Sequence, residues 1–174
     1  MKPTIFDSEK ALAAILYTAS ALPERRNTYK VLKVIYRANK MHLQKYGREI
    51  FNERYQALEW GTVPAFAYDI VTHVRKGKPQ PRMPRDVKQK IRVLADDTIR
   101  PLVETPMRLL SESDVECLNE AIEFYRPMSF NQIKNNAHED DAYKATLRDK
   151  FVPIEKIILT LPDGELLLKH LKAA

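Results

Sequence analysis

The sequence predicts a predominantly α-helical protein, all-α or nearly so, folded as a compact single-domain multi-helix bundle with one or two short strands. Apolar residues recur at helical spacing in successive segments. Capping residues, glycines and prolines mark where these segments begin and end. The 174 residues match the size of one domain. We therefore expect a single domain over 1–174.

The first two helices are predicted from their ends. One begins at about residue 8 and stops before Pro23, because a proline usually follows the end of a helix. The second runs from about residue 28 to Tyr46. Gly47 follows, and glycine adopts the left-handed C-terminal cap without steric cost.

The middle of the chain is less regular. Residues 50–60 fit either a short helix or an extended segment, which Gly61 closes. Pro64 suits the first turn of a third helix, since the N–H that proline lacks is not needed there. This helix is expected over residues 63–76, with Gly77 ending it.

The next segments carry most of the prolines. Residues 78–84 form a proline-broken connector, and a weaker helix is expected over 85–95. Residues 98–110 alternate imperfectly and contain two prolines, which predicts irregular structure with one short edge strand.

Clearer helical signals return in the C-terminal part. Ser111 and Ser129 each open a capping-box pattern before an amphipathic segment. Another helix is expected over 141–151. The apolar run 154–161 fits a strand or a helix, and a terminal helix is expected over 165–171.

Composition excludes several classes of protein. No apolar run approaches the roughly 20 residues that span a bilayer, and no signal-peptide pattern is evident. The single cysteine, Cys117, cannot form an internal disulfide. The four glycines lie too far apart for a glycine-rich phosphate loop, although other nucleotide sites stay open. We expect a cytoplasmic protein without membrane contact.

Positive charge is concentrated in one connector. Residues 75–92 contain eight basic residues and one acid, so this segment carries +7 while the rest of the chain carries −1. The simplest interpretation is a solvated loop. Contact with nucleic acid or with an acidic partner is the alternative. The residues that would make it are Arg75, Lys76, Lys78, Arg82, Arg85 and Lys88.

No catalytic or metal-binding pattern is present. The cluster at 138–141 combines a histidine with three acids, but neighbouring residues on a helix diverge and no HExxH motif accompanies it. We therefore predict no metal, no cofactor and no enzymatic activity. An enzyme of unrecognised type would need this cluster to share a pocket with the block 36–69.

A series of short motifs follows a fixed order from the second helix onward. They are YRAN at 36–39, GREI at 47–50, YQA at 55–57, GTVP at 61–64 and YD at 68–69. Three more elements follow. They are a leucine–serine pair with an aspartate three residues after the serine (110–114), a serine-led helix ending in histidine (129–138), and a tyrosine at 143. In order and spacing this chain resembles the Panacea domain of SocA-like and GepA-like, phage-associated antitoxins, over about residues 29–143. Helical extensions would lie on either side.

The resemblance implies a mostly helical antitoxin of a bacterial or phage toxin–antitoxin system, which neutralises a cognate toxin by direct protein–protein binding. Some relatives look like adaptors that deliver the toxin to a cellular protease. The runner-up is a nucleic-acid-binding regulator that uses the basic connector 75–92. Candidate partner-binding residues are Tyr36, Asn39, Arg48, Tyr55, Trp60, Tyr68, Asp69 and His138.

Each candidate also has a structural interpretation. The aromatic residues could build the core around Ala57 and Gly61, because aromatic side chains dominate core energetics as well as interfaces. Arg48 could instead contact the last carbonyls of the preceding helix, which favour positive charge. Tyr68 and Asp69 occupy adjacent helix positions and cannot both face the same way.

Overall fold

The computed structural model describes residues 5–24, 26–78 and 80–173, and this part of the chain is predominantly helical. Its helices are α1 (Ser8–Ala21), α2 (Thr28–Tyr46), α3 (Ala65–Lys76), α4 (Val87–Lys90), α5 (Glu112–Tyr125), α6 (Phe130–His138), α7 (Asp141–Lys144), α8 (Ile154–Leu159) and α9 (Gly164–Ala173). Its strands are β1 (Tyr55–Leu58), β2 (Gly61–Pro64), β3 (Ile91–Val93), β4 (Ile99–Pro101) and β5 (Phe151–Val152). A single 3₁₀ turn spans Met107–Leu109.

The two N-terminal helices form as their caps predict. The Asp7 side chain accepts the backbone N–H of Lys10, and Asn27 caps α2 in the same way. Gly47 ends α2 with φ 65°, in the left-handed region. Both helices need only local signals, which is why the sequence was sufficient to place them.

Part of the segment 50–60, for which the sequence allowed either a short helix or an extended segment, forms a β-hairpin with the residues that follow it. Strands β1 and β2 pair antiparallel, from Tyr55 opposite Pro64 to Leu58 opposite Gly61. Strand β5 extends this sheet on the other edge of β1. The prediction that Pro64 lies in the first turn of α3 was wrong, because Pro64 ends β2 and α3 begins one residue later.

The start of α3 is capped from a distance. The Pro64 side chain cannot accept a hydrogen bond, so the buried carboxylate of Glu53 accepts the backbone N–H groups of Phe66 and Ala67 at 2.9 and 3.0 Å. Burial raises the pKa of Glu53 to about 8, although these hydrogen bonds favour the charged form and lower the pKa. Glu53 therefore fixes the hairpin to the helix that follows it.

Two further predictions were wrong because strand pairing between distant residues overrides local helix propensity. The weaker helix over 85–95 is reduced to the single turn α4, since β3 pairs with β4 and buries Ile91 and Ile99. The helix over 141–151 ends after α7, where the chain continues towards β5. The described residues thus contain five strands, more than the one or two expected. The apolar run 154–161 adopts the helical alternative as α8.

The largest core cluster joins α1, α2, α3 and α5, with smaller clusters beneath the β-sheet and beneath α9. Ser111 and Ser129 both form complete capping boxes, as predicted. Across 5–24, 26–78 and 80–173, no helix combines the length and hydropathy needed to cross a bilayer. Helix α2 is central, and the β1–β2 hairpin lies against it.

Candidate functional site

A groove of about 500 Å³ opens along one side of the β1–β2 hairpin. Its floor consists of aliphatic side chains from α2, β2 and α3, and its wall consists of aromatic rings from four different parts of the chain. We call it the aromatic groove. Its floor is Leu32, Val63 and Val71, its wall Tyr29, Trp60, Tyr68 and Phe130, and its charged rim Glu59, Arg75, Lys76, Asp96 and Asp97.

Three of the wall residues form one aromatic cluster. Tyr29 and Phe130 have ring centroids 4.8 Å apart, and Trp60 meets Phe130 edge-on at 5.4 Å. The Tyr29 hydroxyl donates to the Trp60 carbonyl at 3.0 Å. The cluster is well ordered by these contacts, yet Trp60 is 46% exposed and Phe130 42% exposed. Such a preformed aromatic surface is typical of binding sites.

The turn that carries Trp60 is held from behind. Gly61 has φ 103°, and a Cβ atom there would lie 2.6 Å from the Cβ of Ala137, so only glycine fits. His138 Nε2 donates to the Glu59 carbonyl at 3.1 Å, and its ring stacks on Tyr143. His138, a predicted partner-binding residue, thus supports the turn.

The rim of the groove is charged. Arg75 forms an ion pair with Asp97, and Lys76 next to it is exposed. Tyr68, in the wall, is 37% exposed, while Asp69 beside it is half-buried. The structure therefore brings together Trp60 and Tyr68, which were predicted to bind a protein partner, with Arg75 and Lys76, which were predicted to contact nucleic acid or an acidic partner.

Three of the predicted partner-binding residues lie in the interior instead. Tyr36 and Tyr55 pack against each other at 5.4 Å beneath the sheet. Asn39 is fully buried, and its Oδ1 accepts the backbone N–H of Ile50 at 3.0 Å. Tyr55 donates to Glu49, whose pKa burial raises to about 7. In this structure these three side chains are buried and stabilise the scaffold.

Arg48 contacts α5 rather than the last carbonyls of α2. Its guanidinium lies 3.5 Å from the Asp114 carboxylate and 3.2 Å from the Ser113 hydroxyl. Asp114 is fully buried and also binds Lys10 at 2.7 Å and His42 at 3.2 Å. Burial acts to raise the pKa of Asp114, but the hydrogen bonds from His42 and Lys10 outweigh it and hold the pKa well below its usual range.

The basic connector is partly engaged within the chain. The Arg82 guanidinium lies 5.1 Å from the centroid of the Phe66 ring, and the backbone N–H of Arg85 donates to Glu9. Lys78 and Lys88 are exposed, like Lys76 on the rim. Of the cluster at 138–141, Asp140 alone lines a cavity with residues of the block 36–69, and it accepts the Tyr36 hydroxyl at 3.2 Å. No group of His, Cys, Asp or Glu suited to a metal ion occurs among the residues that the structure describes.

Sequence reasoning missed Tyr29 and Phe130. Phe130 follows the Ser129 cap at a position that the helical pattern assigns to a core face. Nothing local indicates that it meets a ring 101 positions earlier. The overlooked signal was that both residues lie in the first turn of a helix, where a side chain points towards the N-terminal end and can extend past it.

Comparison with known families gives one finding. A family described as antitoxin SocA-like, Panacea domain, matches residues 31–144. This range contains most of α2, the hairpin, α3, α5 and α6, whereas the groove-lining residues Asn27, Thr28 and Tyr29 lie just before it. Comparison with curated proteins and with solved structures yields no match.

Proposed function

This chain belongs to the Panacea domain family of SocA-like antitoxins, and we propose that it neutralises a cognate toxin by binding it directly through the aromatic groove. The proposal needs no catalytic step and no cofactor. The family suggests an antitoxin role, and the groove supplies a surface for it, most of which lies within the matched part of the chain.

The observation that carries the proposal is the exposed aromatic cluster. Tryptophan and tyrosine are enriched among the few residues that contribute most of the free energy of protein–protein binding. Trp60, Tyr68 and Phe130 are each more than a third exposed and line one cavity. Contacts of Trp60 and Phe130 with each other and with Tyr29, together with the hydrogen bond from Tyr29, hold these two rings in place before binding, so little conformational entropy is lost on association.

The rim indicates the chemistry of the partner surface. Arg75 is already paired with Asp97, whereas no described residue pairs with Lys76. Lys78 and Lys88 add exposed positive charge on the adjoining connector. We therefore expect the toxin to insert one or two apolar side chains into the groove, flanked by carboxylates that meet these lysines.

Two modes of neutralisation fit this surface. The antitoxin either occludes the active surface of the toxin or acts as an adaptor that brings the toxin to a protease. The half-life of the toxin in cells distinguishes them, because only the adaptor mode shortens it when the antitoxin is present.

The test is co-expression of this chain with the neighbouring gene, which is expected to encode the toxin. The native chain should restore growth and co-purify with the toxin. Trp60→Ala should abolish both, because it removes the largest exposed ring of the groove. Phe151→Ala is the matched control, since Phe151 is 45% exposed and lies outside the groove. If Trp60→Ala still restores growth and still co-purifies with the toxin, the groove is not the toxin-binding surface. If the native chain fails in both assays, the antitoxin proposal is overturned.

Exposed Lys76, Lys78 and Lys88 also favour a second candidate, a nucleic-acid-binding regulator. Its support is smaller, because Arg75 and Arg82 contact other residues of the chain and the connector has no interleaved aromatic rings for stacking. A steeply salt-dependent DNA mobility shift, abolished by charge reversal at Arg82, Arg85 and Lys88, would establish it. A chain that gives no shift at low salt would eliminate it.

A further inference from the structure

A second cavity, of about 160 Å³, lies on the opposite side of strand β2 from the aromatic groove. Thr62 lines this cavity, whereas its neighbours Gly61 and Val63 line the groove. Because side chains alternate along a strand, one short strand separates two different environments. We call the second one the cationic cavity. Its polar lining is Lys33, Tyr36, Arg37, Lys40, Gln44, Thr62, Tyr125, Asn136 and Asp140.

Three positive side chains converge on this cavity from one helix. Lys33, Arg37 and Lys40 occupy positions i, i+4 and i+7 of α2, which lie on the same face. The only acid in the lining is Asp140. Like charges at this spacing destabilise a helix. They are usually tolerated on a solvated face, but here Lys33 is only 1% exposed.

These cations have more hydrogen-bond donors than the chain uses. Lys33 Nζ donates to the Thr62 carbonyl at 2.7 Å, which leaves two of its three donors. Among the described residues Arg37 has no hydrogen-bond partner, and its Nε is buried. Its guanidinium lies 3.5 Å from the centroid of the Phe124 ring, a contact that fixes its position without satisfying its N–H groups. Lys40 is paired with Asp140 at 2.7 Å.

Neutral donors adjoin the cations. The Thr62 hydroxyl is buried next to the Tyr36 phenol but makes no hydrogen bond of standard geometry with any described residue. Asn136, which is exposed, uses its Oδ1 to accept the Tyr125 hydroxyl at 3.2 Å, and its amide N–H groups are open to solvent rather than buried without a partner. Buried polar groups without partners are rare in native proteins, and each one suggests an absent partner.

We propose that the cationic cavity binds a single oxyanion of the phosphate class, either free or as the phosphate group of a small ligand. An oxyanion would accept hydrogen bonds from Arg37, Lys33 and Thr62 together and would balance the excess positive charge. The cavity is smaller than the roughly 300–1,000 Å³ typical of pockets for drug-sized ligands, so it suits one such group, and the rest of a larger ligand would lie outside it.

The ionisation of Lys33 supports this geometry. Burial lowers the pKa of Lys33 to about 7, and the charge of Asp140 opposes that shift. The other groups around it are Arg37, Lys40 and Tyr36 on α2, Tyr29 at the start of α2 and Tyr125 on α5. A bound oxyanion would favour protonated Lys33, so affinity should fall as the pH rises above 7.

The test follows the Nε–H resonance of Arg37 in a ¹H–¹⁵N NMR titration of the whole chain. Inorganic phosphate, adenosine monophosphate and adenosine are added separately, with sodium chloride at matched ionic strength as the reference. Arg37→Gln removes the least satisfied donor, while Lys45→Gln removes one charge from the same helix outside the cavity. Asn136→Ala is a second cavity variant that leaves the charges intact.

The expected result is a saturable shift of Arg37 and of the Thr62 amide with phosphate but not with adenosine or chloride. Phosphate affinity, followed at Thr62 in the variants, should fall about tenfold in Arg37→Gln, the loss expected for one hydrogen bond to a charged group, and stay unchanged in Lys45→Gln. Tighter binding of the monophosphate than of phosphate would identify a phosphorylated ligand, and equal binding a free ion. No saturable shift with either phosphate compound, or affinity unaffected by both Arg37→Gln and Asn136→Ala, would overturn the proposal. The result is independent of toxin binding.

Discussion

The aromatic groove and the cationic cavity are separated by a single strand, yet the groove has apolar groups without a partner and the cavity has polar groups without one. In the groove the polar groups of Tyr29 and Arg75 already have partners, and apolar rings stay exposed. In the cationic cavity the exposed surface is about equally polar and apolar, and the buried Arg37 Nε and Thr62 hydroxyl have no hydrogen-bond partner of standard geometry among the described residues. Exposed aromatic rings favour binding of another protein, whereas hydrogen-bond donors without acceptors favour binding of an anion.

Gly61 is the residue on which both regions depend. It lines the groove, and its missing Cβ leaves room for Ala137 and for the Nζ of Lys33 behind the strand. A Cβ atom would lie 2.6 Å from the first and 2.7 Å from the second. The comparison therefore predicts one variant that damages both regions and others that damage only one.

Gly61→Val should have the largest effect. The clash with Ala137 and the strain of a β-branched residue at φ 103° should lower the free energy of unfolding by about 3 kcal/mol. Urea unfolding measures this change. Gly77→Ala is the control, because Gly77 also has positive φ but a Cβ atom there would meet only the Lys88 Nζ, at 3.9 Å, and about 1 kcal/mol is expected there. Equal losses in the two variants would mean that close packing behind the hairpin is unimportant.

Phe130→Ala should affect the groove alone. It removes a ring that contacts both Tyr29 and Trp60, so toxin affinity should fall by about 2 kcal/mol, or roughly 30-fold in Kd. Isothermal titration calorimetry with the purified toxin measures it. The phosphate titration of Arg37 should be unchanged, and a parallel loss there would show that the two regions are not separable.

Lys33→Met should change the pH dependence of stability. The folded pKa of Lys33 is about 7 and its unfolded value 10.5, so between these values the unfolded chain binds more protons. The native chain should therefore gain stability relative to the variant as the pH rises from 7 to 9.5, by up to about 1.4 kcal/mol per pH unit. Below pH 7 the difference should be constant. A difference that is flat from pH 7 to 9.5 would show that Lys33 stays charged.

His138→Ala should have the smallest effect. It removes one hydrogen bond to the turn and the stacking on Tyr143, so the loss of stability should be about 1 kcal/mol. His170→Ala, exposed on α9, is the control. Since Trp60 is the single tryptophan, its fluorescence reports whether the turn moves as well. Unchanged stability and emission would show that His138 does not support the turn.

Local signals in the sequence were enough for the helices with clear caps, α1, α2, α5 and α6. They were not enough for β3 and β5, which have three and two residues and exist only because distant strands pair with them. The same limit applies to the sites. Trp60 and Tyr68 lie in a recognisable motif, but Phe130 joins them only through the packing of α6 against β2.

The cationic cavity shows that limit most clearly. The spacing of Lys33, Arg37 and Lys40 is visible in the sequence, and it ordinarily indicates a solvated helix face. The hairpin, which places Thr62 next to Lys33, and the end of α6, which places Asn136 and Asp140 nearby, cover that face. Whether a charged helix face is exposed or buried depends on the elements that pack against it, and the sequence of that helix does not reveal them.

The most direct test of the central claim is the accessibility of Trp60 to acrylamide in the purified complex with a toxin prepared without tryptophan. In the free chain the indole is 46% exposed, so quenching should be efficient. If the toxin occupies the aromatic groove, the quenching constant should fall to that of a buried tryptophan at one equivalent of toxin, and phosphate should leave it unchanged. A stoichiometric complex in which Trp60 is quenched as strongly as in the free chain would contradict the account.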